Sequence, residues 1–120
     1  MQKRKLLEAY LHNAVEKSRN KFLKTHKRRK TKLVFLDIPL LFEKRLNKIC
    51  DYTILLYAPL NIRKRRAMQR QGMEKKILNK IIKTQMSDGV KKKRANFIIN
   101  TSTTKKQTFK KILSIIYSLL

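Results

Sequence analysis

Asp37 ends the run Leu33-Val34-Phe35-Leu36, and Pro39 then interrupts the chain before a second apolar patch, Leu40-Leu41-Phe42, that closes on Glu43. A buried strand delivering a carboxylate at its carboxyl end has this pattern. Open α/β sheets bind ligands beyond those strand ends, so Asp37 is the residue placed to face one. A second chemistry-bearing set is cationic. Arg63, Arg66 and Arg70 are spaced by three and four, which sets them on one face of a helix. Guanidinium groups sharing a face suit bidentate recognition of phosphate. Each set also has a plainer reading. An apolar run before Asp-x-Pro can be a strand that stops at a turn, and an exposed helix in a very basic protein carries arginines in any case.

That basicity is extreme: 32 Lys plus Arg against 7 Asp plus Glu give a formal charge of +25 over 120 residues. Such a field draws polyanions of any kind, nucleic acid, phosphorylated metabolites or anionic surfaces. The lysines are nevertheless spread through every segment alongside abundant Ile, Leu and Asn, as drift toward A+T-rich codons would leave them. The densest cluster, Lys27-Arg28-Arg29-Lys30, lacks the interleaved aromatics of a base-stacking surface and is expected to be a solvated loop. Cys50 is the sole cysteine, so no intramolecular disulfide can form, which fits a reducing compartment. No apolar run reaches the ~18–20 residues of a membrane span, and the basic start leads into an amphipathic pattern instead of a signal core. A cytoplasmic protein without a membrane partner is expected.

The elements that must position these residues alternate along the chain. Apolar residues from Leu6 to Leu23 recur at helical spacing and predict a helix over Lys3–Lys24. Strands are predicted at Lys32–Leu36, Thr53–Tyr57 and Asn96–Ile99. Helices are predicted at Phe42–Lys48 (short), Leu60–Arg70, Glu74–Met86 and Gln107–Leu119, with a loop or short helix through Arg94. Strands separated by helices imply parallel pairing. With 2 Gly and 2 Pro there is no linker, so the chain reads as one domain over 1–120.

In combination these blocks resemble the C-terminal part of dephospho-CoA kinase, a P-loop kinase. Asp37-Ile38-Pro39-Leu40-Leu41-Phe42-Glu43 matches a shared block of that family in full. Asp51 to Leu56 matches its next strand, Arg66 and Arg70 an Arg-x-x-x-Arg pair on the lid helix, Gln85 a later glutamine, and Arg94 to Asn100 a closing Ala-Asp-Phe-Val-Ile-x-Asn signature. Arg4 to His12 is similar to the family's helix leading into a His-Pro pair. The resemblance implies a parallel sheet flanked by helices, with 63–94 as a helical lid. It implies ATP-dependent phosphorylation of the 3′-hydroxyl of dephospho-CoA, with Mg²⁺. On that basis Arg66 and Arg70 would cover the ATP phosphates and Asn100 would lie near the adenine. Leu40, Leu41 and Phe42 would line the dephospho-CoA pocket with His12 near it, and Asp37 would lie near the metal.

The departures are specific. The family's Gly-rich Walker A loop, whose amides and lysine hold the β- and γ-phosphates, is nowhere in these residues, and its catalytic aspartate is expected to lie in the same absent portion. Asn13 stands in place of the proline after the histidine, Asn96 in place of an aspartate, Thr101-Ser102 in place of a common glycine, and Ile81 in place of an arginine. A truncated kinase sheet is therefore expected, inactive alone and marginally stable. It would be either a remnant or one half of a split kinase needing a separate P-loop chain. The alternative from another class is a basic nucleic-acid-binding protein.

Overall fold

A computed structural model describes residues 2–120, with the side chains described from residue 3 onward. They form two compact units, one reaching Asp37 and the other running from Ile38 to Leu120.

The first unit is dominated by helix α1 (Gln2–Arg28). It runs past the predicted end because Lys27 and Arg28 complement the partial negative charge of a helix C-terminus. The stop is a Schellman closure: Thr31 N–H donates to His26 O (3.0 Å) and Lys30 N–H to Lys27 O (3.1 Å), with Lys30 left-handed at φ 56°. His26 Nδ1 and Thr31 Oγ1, 2.9 Å apart, hydrogen-bond across this turn. Its apolar stripe is uncovered, with Leu6 and Tyr10 each 71% exposed and Val15 59%.

The predicted strand Lys32–Leu36 is not one: residues 32–37 have no regular secondary structure, and the sheet contains two strands only among the described residues. A β ladder exists only where a second backbone satisfies its N–H and C=O groups, and Phe35 is left exposed.

In the second unit, β1 (Ile54–Tyr57) and β2 (Phe97–Asn100) pair in parallel, Ile54 opposite Phe97 through Tyr57 opposite Asn100. The crossover between them carries α2 (Leu60–Met68), α3 (Lys75–Thr84) and α4 (Asp88–Arg94), and α5 (Lys105–Leu119) follows β2. Pro59 opens α2, accepting from the amides of Ile62 and Arg63. Ser87 caps α4. Thr104 and Gln107 close a reciprocal capping box that starts α5 two residues earlier than predicted. Gly72 sits at φ 78° in the turn between α2 and α3, a conformation that side chains rarely adopt.

The short helix predicted at Phe42–Lys48 is replaced by one turn and a 3₁₀ segment, Leu46–Ile49. Leu46 N–H donates to Leu41 O (2.9 Å) and Arg45 N–H to Phe42 O (3.0 Å). With Arg45 at φ 57°, this is again a Schellman closure, and it stops the helix before it can lengthen.

Asn96 does structural work at the entry to β2. Its Oδ1 accepts from Thr53 N (2.9 Å) and Thr53 Oγ1 (3.2 Å), while its own amide donates to Thr53 Oγ1 (3.3 Å). Acceptor capacity is all the side chain supplies, and an aspartate would supply it equally. Asn96→Asp is expected to change stability by less than about 0.5 kcal/mol, whereas Asn96→Ala strands the buried Thr53 donors and costs about 1–3 kcal/mol in urea melts.

The interior is small. Phe42, Ala58, Leu78 and Ile99 are the buried apolar residues of the described chain, while Leu56 (58%) and Ile98 (47%) on the strands are exposed. Parallel sheets are ordinarily covered on both faces, so this pair of strands has the chemistry of a sheet interior without its covering.

Candidate active site: a cationic crossover at the strand ends

The carboxyl ends of β1 and β2 are drawn together by the chain that leaves them. Thr101 donates to Tyr57 O twice, from its amide (2.7 Å) and from Oγ1 (3.3 Å). Asn100 shapes the next step as an Asx turn, its Oδ1 accepting from Ser102 N (2.8 Å) and Ser102 Oγ (2.6 Å). Two polar residues, Thr101 and Ser102, thus hold with side-chain bonds a turn that a glycine could make by backbone freedom alone.

Helix α2 reaches this loop through one arginine. Arg66 Nη2 donates to Thr101 O at 2.9 Å. The arginines predicted to share a face are divided among three tasks. Arg63 Nη2 pairs with Asp88 Oδ2 at 2.6 Å, tying α2 to the first turn of α4. Arg66 anchors to the strand-end loop. Arg70 is exposed, and its guanidinium has no hydrogen bond or ion pair among the described residues. It lines a hollow of about 310 Å³ between α2 and α3, floored by Met73, Leu78 and Ile82. A second hollow, about 560 Å³, lies between Arg66, Thr101, Thr103 and Phe109 at the start of α5. Arg66 borders both. Cations beside an apolar floor at the carboxyl end of a parallel pair can hold a phosphorylated ligand with its base or tail against the floor.

The Leu40–Phe42 segment belongs to the same unit. Phe42 is 5% exposed, and Leu40 is left-handed at φ 55°, a conformation that costs a branched residue about 1–2 kcal/mol. Next to them, Glu43 Oε2 accepts from Met86 N (3.1 Å) and pairs with Lys91 Nζ (3.2 Å). Burial alone would raise the Glu43 pKa. The amides of Met86 and of Glu43 itself, together with the Lys91 ammonium, outweigh burial and hold it below its ordinary value. A pKa lower in the folded than in the unfolded chain stabilises above the unfolded value of about 4.3 and loses that contribution as pH falls through the folded value. Urea midpoints of the wild type and Glu43→Gln are accordingly expected to differ at pH 7 and to converge below about pH 4.

His12 and Asp37 lie in the first unit, both exposed. Among the described residues, no group of three or more His, Cys, Asp or Glu is placed to hold a metal ion. No helix of the described residues is long and apolar enough to cross a membrane.

The Glu43–Lys91 and Arg63–Asp88 pairs escaped sequence reasoning, because each joins residues that share no local pattern. The only available signal was scarcity: with 7 acidic side chains against 32 basic ones, an acid beside an apolar run is a strong candidate for a partnered role.

The chain is 41% identical over 119 residues to dephospho-CoA kinase of Bartonella quintana, an alignment spanning 99% of this chain and 61% of that protein. It is 42% identical to the Bartonella henselae enzyme over the same extent. The crystal structure of TT1252 from Thermus thermophilus superposes with a TM-score of 0.78 at 34% identity, covering 97% of this chain and 59% of that one. The chain thus spans about 60% of the length of these three proteins. The family pattern of CoaE, dephospho-CoA kinase, matches residues 1–107, and with the mixed α/β architecture and its parallel strand pair this chain belongs to the dephospho-CoA kinase family.

Proposed function

We propose that these residues form the acceptor-substrate wall and the lid of an enzyme that transfers the γ-phosphate of ATP to the 3′-hydroxyl of dephospho-CoA in the cytoplasm, the last step of coenzyme A synthesis. Both units would belong to one kinase domain, with 63–94 as its lid. The observation that carries the reading is the arginine helix hung from the strand-end loop by Arg66, with Arg70 open toward the hollow beside it.

In this reading Arg70 and Arg66 neutralise the triphosphate, and Asn100 and its turn border the adenine. Leu40 and Leu41 form the apolar wall for dephospho-CoA, backed by the buried Phe42 ring. Phosphoryl transfer depends on positioning and on neutralising charge, and closure of the lid excludes water from the transfer. Magnesium bound with ATP would supply charge neutralisation at the phosphate oxygens. Asp37 is the one carboxylate of this chain proposed to lie near it.

These 120 residues contain no Gly-rich phosphate loop, so transfer also needs polypeptide that supplies one, in the same chain or a separate one, and the 120 residues alone are inactive. Supporting this, the strands expose apolar side chains that a covering layer would bury. The binding half of the reading is tested by calorimetry. The 120-residue chain is expected to bind dephospho-CoA, and to bind ATP more weakly than a complete kinase does. No heat with dephospho-CoA at millimolar concentration would refute the substrate wall.

A further inference from the structure

The Leu40–Phe42 wall is an unusual piece of backbone. Residues 38–45 lack a regular helix or strand and contain two left-handed residues, Leu40 and Arg45. Conformations of this kind persist only when the surroundings over-determine them. The bonds inside the block, such as Lys44 N to Leu40 O at 3.0 Å, shape it but do not locate it. Two things do: the buried Phe42 ring and the Glu43 carboxylate. Among the described residues, the long-range hydrogen bonds and ion pairs of the block all belong to Glu43.

Their ends are informative. Met86 lies just past α3 and Lys91 lies inside α4, so Glu43 ties the block to the junction of two lid helices. The tie is not a surface pair: the Glu43 and Lys91 side chains are only 14% and 17% exposed. Charges so screened from water interact more strongly than exposed ones, and parting them would leave an uncompensated charge.

Resting on the substrate wall proposed above, we propose that Glu43 is a positioning residue for the acceptor substrate: held at the α3–α4 junction, it sets the Leu40–Phe42 wall against dephospho-CoA. Glu43 acts through Leu40–Phe42 and the junction, not by touching the reacting atoms. Its effect therefore falls on one ligand. Arg66 and Arg70 are on α2 and its flank, and the Arg66 anchor to Thr101 does not involve Glu43.

The test uses the 120-residue chain with Glu43→Gln, Lys91→Met and Lys91→Arg. Dephospho-CoA affinity is expected to fall about tenfold or more in Glu43→Gln and Lys91→Met, the scale of one screened charge-assisted bond, and to recover in Lys91→Arg. ATP affinity is expected to stay within about twofold throughout. Amide exchange at Met86, read without any ligand, is expected to accelerate in Glu43→Gln. Parallel loss of both ligands together with the thermal transition would make the contact merely structural and overturn the proposal, as would unchanged dephospho-CoA affinity in Glu43→Gln and Lys91→Met. A wild type that protects the Met86 amide yet binds no dephospho-CoA would defeat the substrate wall itself and remove the positioning role, leaving a fold tie. An unprotected Met86 amide in a wild type that binds dephospho-CoA would defeat the Glu43 tie alone.

Discussion

Arg70→Ala is expected to lower phosphate transfer by about two to three orders of magnitude once the phosphate-cradling loop is supplied. The magnitude follows from the position of Arg70. Arg63 and Arg66 already hold partners, Asp88 and the Thr101 carbonyl, so their charge is partly engaged in holding the crossover together. Arg70 lines the hollow with no such partner and is available to charge developing on a transferred phosphoryl group. A donor aimed at developing charge contributes mainly to the transition state, so kcat should fall more than KM rises. Arg70→Lys should recover only part of the rate, because an ammonium cannot reproduce a planar, two-pronged contact. Because Arg70 is exposed, the melting temperature of Arg70→Ala should match the wild type. Unchanged steady-state kinetics would remove Arg70 from the lid role.

Phe42→Ala is expected to abolish cooperative unfolding. Truncating a buried phenylalanine costs about 3–5 kcal/mol. Here the ring is one of four buried apolar residues in the described chain, and whole-domain stabilities run only to about 5–15 kcal/mol even with full-sized cores. The loss is therefore comparable to all the stability this unit can hold. Circular dichroism melts should show the wild type with a low, broad transition and Phe42→Ala with none. Leu56→Ala, which truncates an exposed strand residue (58%), should change little. A Phe42→Ala chain melting within a few degrees of wild type would mean that the Phe42 contacts do not hold the block.

Much of this architecture could be read from residue types because its signals are local. The runs at Thr53–Tyr57 and Asn96–Ile99 became adjacent parallel strands nearly as predicted, and the helical spacing of α1, α2 and α5 needed no tertiary knowledge. The run ending at Asp37 carried an equally clear apolar signal and did not become a strand. Apolar content reports what a segment would bury, whereas a strand also needs a partner backbone, and no local pattern supplies that. The turn after Leu41 failed for a different reason. Leu40 and Arg45 take left-handed conformations that their side chains disfavour, so propensity pointed to a longer helix. At the site, spacing put Arg63, Arg66 and Arg70 on one helix and gave them one task, whereas α2 ends at Met68 and Arg70 lies in the turn beyond it. Only the positions of Asp88 and Thr101 separate two tethered guanidiniums from the open one.

The most direct measurement is transfer of labelled γ-phosphate from ATP to dephospho-CoA. It should be run with the 120-residue chain alone, and again with the chain joined to the part of the Bartonella quintana kinase that it does not span. The expected result is no transfer alone and measurable, Arg70-dependent transfer when joined. Turnover by the 120 residues alone, or a joined protein that folds and binds both ligands yet transfers nothing, would contradict a lid and substrate wall that the phosphate-cradling part completes.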